Sequence, residues 1–198
     1  WTVSGTGSSI SGTTFTMGSA NTTLTANWTI NSYTLTVNAN SGTWSGTTPQ
    51  TINYNATATI ANPTRTNYTF NGWTVSGTGS SISGTTFTMG TANTTLTANW
   101  TINSYTLTVN ANSGTWSGTT PQTINYNATA TIANPTRTGY TFTGWTVSGT
   151  GSSISGTTFT MGTANTTLTA NWTINNYTLT VNANSGTWSG TTPQTINY

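Results

Sequence analysis

The sequence predicts a mainly β fold built from tandem modules of about 72 residues, with little or no helix, and three observations predict it. The run WTVSGTGSSISGTTFTM opens at Trp1, at Trp73 and at Trp145, a spacing of 72 residues. Apolar residues alternate with Thr and Asn, the period of a half-buried strand. No stretch shows helical spacing, and the dominant Thr, Asn and Gly are poor helix formers.

Each element follows from that alternation. Tyr33, Leu35, Val37 and Ala39 alternate with Thr34, Thr36 and Asn38, giving a first strand with one apolar and one polar face. Ile52, Tyr54, Ala56, Ala58 and Ile60 keep the period of two over nine residues and predict a second continuous strand. A third runs through Tyr68 and Phe70 and changes parity at Gly72, so that Trp73 and Val75 face the core across a bulge. Phe87 and Met89 mark a short fourth strand. Leu96, Ala98, Trp100 and Ile102 mark a fifth. Between them NANSGTWSGTTPQ, IANPTRT and VSGTGSSISGTT carry the Gly, Ser, Asn and Pro of turns.

Composition removes most chemistry. The chain has no Asp, Glu, His or Cys, and its two cationic side chains are Arg65 and Arg137, at equivalent places in successive copies. No side chain titrates between about pH 4 and pH 9, so general acid–base catalysis has no agent, and a Ser or Thr nucleophile has nothing to activate it. Metal sites want His, Cys or carboxylates. The chain is therefore read as a non-enzyme without cofactor or metal. Two arginines are too few for the phosphate neutralisation that drives nucleic-acid binding. No hydrophobic run approaches the length of a membrane span. The chain starts partway through one copy and stops 18 residues short of completing another, which reads as a window on a longer polypeptide.

The run YTLTVNANSGTWSGTTPQTINYNATATIANPTRTGYTFTGW from Tyr105 to Trp145, with TFTMGTANTTLTANW ending at Trp172, resembles the Listeria–Bacteroides repeat, or internalin B-repeat. PTRTGYTFTGW is the specific part of that match. The resemblance implies β-grasp-like modules in tandem on secreted and surface-anchored bacterial proteins, where they act as spacers, stalks or adhesive arrays. Its phasing gives complete modules at 31–102 and 103–174 and partial ones at 1–30 and 175–198. Members of that family usually carry acidic and lysine residues. Here the surface is neutral.

Five residues invite a functional reading as ligand or interface contacts. Trp44, Trp116 and Trp188 lie in glycine-rich loops, where each could stack on a sugar or fold over its own core. Arg65 and Arg137 lack any acidic side chain as partner, so each guanidinium is expected to bridge loop carbonyls, lie on an aromatic ring, or capture a carboxylate or sulfate. Trp28, Trp73, Trp100, Trp145 and Trp172 continue apolar strand faces and are expected in the core. Near-identical copies favour a structural protein that forms an extracellular filament, stalk or surface coat by repeated non-covalent contacts with itself. The alternative is an adhesin or glycan-binding array. Ice binding, suggested by Thr-x-Thr runs, asks for a much shorter period than 72 residues.

Overall fold

A computed structural model describes all residues, Trp1 to Tyr198, and contains strands and no helix. The chain divides into two compact units, Trp1–Thr64 with Asn71–Asn99, and Arg65–Phe70 with Trp100–Tyr198.

In the first unit the N-terminal partial repeat supplies β1 (Thr2–Ser4), β2 (Ser9–Ser11), β3 (Thr14–Thr16) and β4 (Thr23–Thr25). The next repeat supplies β5 (Ser32–Asn38), β6 (Gln50–Asn53), β7 (Thr57–Thr59), β8 (Tyr68–Ser76), β9 (Ser81–Ser83), β10 (Thr86–Thr88) and β11 (Thr94–Ile102). Strands β8 and β11 have residues in both units. The seven strands form a four-stranded sheet in the order β6-β5-β11-β8 and a three-stranded sheet in the order β7-β10-β9. The core holds Leu35, Val37, Ile52, Ile60, Phe87, Met89 and Leu96.

The second unit repeats the plan with β12 (Ser104–Asn110), β13 (Gln122–Asn125), β14 (Thr129–Thr131), β15 (Tyr140–Ser148), β16 (Ser153–Ser155), β17 (Thr158–Thr160) and β18 (Thr166–Ile174). Strand β18 runs parallel to β12, pairing Leu107 with Thr166 and Val109 with Leu168. It runs antiparallel to β15 on its other side. The last strand of the repeat thus returns to the middle of the sheet beside the first, the order that makes the module β-grasp-like. A separate three-stranded sheet has the order β14-β17-β16. Two further strands, β19 (Asn176–Leu179) and β20 (Gln194–Asn197), pair as a hairpin.

Three expectations need correction. The nine-residue strand from Ile52 to Ile60 is two strands in different sheets. Asn55 takes a left-handed φ of 61°, and its N–H donates to Met89 O at 2.9 Å, so the chain turns between β6 and β7. The run VSGTGSSISGTT, expected as turn, contains a strand, because Ile82 alternates with serines and pairs with Phe87. Trp28, expected in the core, is 90% exposed. Its counterpart Trp172 packs edge-on against Phe142 at 5.6 Å. The bulge lies where parity predicts it, with the register of β15 and β18 shifting between Phe142 and Gly144.

The partial repeats reveal how the core is shared. Leu168, Phe159 and Met161 are fully covered, whereas Leu24, Phe15 and Met17, the same residues two copies earlier, are 38%, 36% and 61% exposed. A repeat buries its apolar face only when both of its halves are present.

Candidate functional site

The loop tryptophans fold back onto their own modules. The Trp116 indole packs against the core of its repeat, and its Nε1 donates to Ala133 O at 2.9 Å. Gly118 lies against the ring: a Cβ there would stand 2.2 Å from the six-membered ring carbons. Trp44 repeats the arrangement, with its Nε1 2.9 Å from Ala61 O. Trp188 is half exposed, 50%, in the partial repeat. Core on one side and glycine backbone against the ring leave Trp116 little of the open platform on which a sugar would stack.

Each arginine lies on a tyrosine three residues later. The Arg137 Cζ stands 3.7 Å from the Tyr140 ring centroid, and Arg65 has the same distance to Tyr68. The turn that makes this possible closes with the Tyr140 N–H donating to Arg137 O at 3.1 Å. Cation–π stacking of this kind contributes about 0.5–1 kcal/mol at an accessible site.

The sequence reading missed a third cluster, at the boundary between repeats. Asn103 is the single residue between β11 and β12. Its N–H donates to Asn67 O at 3.0 Å, and its Oδ1 accepts from Thr69 Oγ1 at 2.8 Å, both in the preceding repeat. Its carbonyl accepts from the Tyr126 N–H, in the following repeat, at 2.8 Å. Asn175 makes the same three bonds, to Gly139 O (2.8 Å), from Thr141 Oγ1 (2.7 Å) and from the Tyr198 N–H (3.0 Å). Asn31, at the same place one copy earlier, accepts from the Tyr54 N–H at 2.8 Å. The signal available in the sequence was Asn at the end of every TIN between copies, lost among many other asparagines.

No group of His, Cys or carboxylates that could hold a metal is present, and no helix is long and apolar enough to cross a membrane. The geometry is that of a repeated module with a repeated joint, and the profile of one family, described as divergent InlB B-repeat domain, matches residues 1–32, 33–104 and 105–176. The chain belongs to that family. These B-repeats are associated with bacterial surface and secreted proteins, which supports a tandem-repeat structural or surface role. No curated protein and no solved structure matched the chain.

Proposed function

We propose that the protein is a structural element of an extracellular filament, stalk or surface coat, in which B-repeats joined by identical non-covalent contacts carry the assembly. The supporting observation is the Asn joint. One asparagine between repeats uses its backbone donor, its backbone acceptor and its side-chain oxygen at once, so the link has no free-swinging linker residue. The joint recurs with equivalent partners at Asn103 and Asn175, so the same contact is repeated along with the module. The near-absence of charge removes the repulsion that keeps copies apart.

The test is electron microscopy with light scattering on a recombinant chain of about four repeats. Ordered filaments without added ligand, with an axial period set by the repeat, are the expected result. A monodisperse particle at every concentration would remove self-assembly and leave the stalk or spacer role.

A further inference from the structure

We propose that the cleft around Arg137 is an anion-binding site that takes a sulfate or carboxylate group of an acidic polysaccharide. The argument begins with charge. The protein holds two cationic side chains and no Asp or Glu, so no acidic side chain is available to neutralise Arg137. The residue is half-buried, where a guanidinium is less well hydrated than on an open surface. Stacking on Tyr140 at 3.7 Å occupies one face of the planar group. The N–H donors lie in the plane, at the edge, where a fork of two can meet the paired oxygens of a carboxylate or sulfate.

The surroundings suit an anion on a sugar. Arg137 and Tyr140 open onto a cleft of about 600 Å³, lined also by Ser113, Gly114, Thr115, Thr136 and Thr138. That volume falls within the range of small-ligand sites. The Ser and Thr hydroxyls there can donate to anion oxygens or sugar hydroxyls, and no acidic side chain competes. The walls are fixed by paired backbone bonds, Thr115 N–H to Thr136 O at 2.7 Å and Thr136 N–H to Thr115 O at 2.9 Å. Behind Gly114 stands the Trp172 ring: a Cβ on Gly114 would lie 2.4 Å from its Cζ2, so only glycine keeps this wall flat.

One cation per site gives weak capture of a single anion. A polymer that carries an acidic group on each sugar can engage successive repeats, and linked weak sites gain affinity without new contacts. Arg65, stacked on Tyr68 at the same distance, supplies the second cation. A nucleic acid is the less favoured polyanion, because Tyr140 already has the guanidinium on one face and offers a base a poor stacking platform.

The test measures binding of the full chain to immobilised dextran sulfate, polygalacturonate, neutral dextran and single-stranded oligo-dT, at about 20 mM and about 200 mM salt. The expected result is binding to an acidic polysaccharide that weakens at the higher salt, with none to neutral dextran. The variant Arg65→Gln/Arg137→Gln is expected to weaken it at least about tenfold. Adding Thr51→Arg and Thr123→Arg, at exposed strand positions, restores the net charge without restoring the cleft and is expected to leave binding weak. Arg137→Lys keeps the charge, loses the fork, and is expected to fall between the two. The proposal is overturned if the relocated arginines bind like the wild type, if neutral dextran binds equally, or if neither acidic polysaccharide binds at low salt. Equal binding of oligo-dT would overturn the assignment to a glycan. Unchanged tryptophan fluorescence of each variant shows that the fold is retained.

Discussion

Thr166 shows what a single hydroxyl does in a protein without ion pairs. It is 2% exposed, and its Oγ1 lies 2.6 Å from Ser152 Oγ and 3.1 Å from Ala164 O, while the Gly162 N–H donates to Ser152 Oγ at 2.8 Å. A consistent set has Ser152 donating to Thr166 and Thr166 to the carbonyl. The same relay holds at Ser80 and Thr94, and again at Ser8 and Thr22. Thr166→Val keeps the shape and removes the donor and acceptor, so it is expected to lower unfolding free energy by about 1–3 kcal/mol, read by urea denaturation. Gly162 is held more tightly still. A Cβ there would stand 2.2 Å from Thr150 O and 2.3 Å from Gly151 C, both backbone, so Gly162→Ala is expected to cost more than the threonine change in the same titration. Neither residue stood out in the sequence, where Thr and Gly occur everywhere; burial singles them out.

At the scale of elements, the break between β13 and β14 decides the module. Asn127 has φ 59°, the left-handed turn that sends Ile124 and Ala130 into different sheets, although alternation runs straight through it. Asn127→Gly is expected to leave thermal stability nearly unchanged. Asn127→Val, β-branched and ill suited to positive φ, is expected to cost about 1–2 kcal/mol by the same thermal melt. The parity change at the bulge was legible because it alters which residues are apolar. The Asn55 and Asn127 turns were not, because Ala56, Ala58, Ala128 and Ala130 pack on the core after the turn as they would have without it. Short elements also divide by how local they are. The β2–β3 hairpin forms in the N-terminal partial repeat as β16–β17 does in a whole one, whereas the four-stranded sheet needs strands from both halves.

For the molecule as a whole, the joint carries the next prediction. Asn103→Ala deletes the Oδ1 acceptor of Thr69 and keeps both backbone bonds. It is expected to weaken coupling between neighbouring repeats by about 0.5–1.5 kcal/mol, seen as a lower cooperativity of unfolding in chains of several repeats. With no acidic or histidine side chain, the folded and unfolded states bind the same number of side-chain protons between about pH 4.5 and pH 8.5, so the slope of stability with pH is near zero there. Calorimetric melting temperatures are expected to stay flat across that window, and to respond little to salt.

Read alone, the residues determined the repeat, its period, the mainly β class, most of the core and the poverty of chemistry, because periodicity, parity and absent residue types are properties of order along a chain. Only the tertiary structure decided that the last strand returns to lie parallel beside the first, that Trp116 closes its own core, and that one asparagine links repeats. These depend on which residues meet across tens of positions, and near-identical Thr, Asn and Gly runs carry too little contrast to say which copy of each meets which.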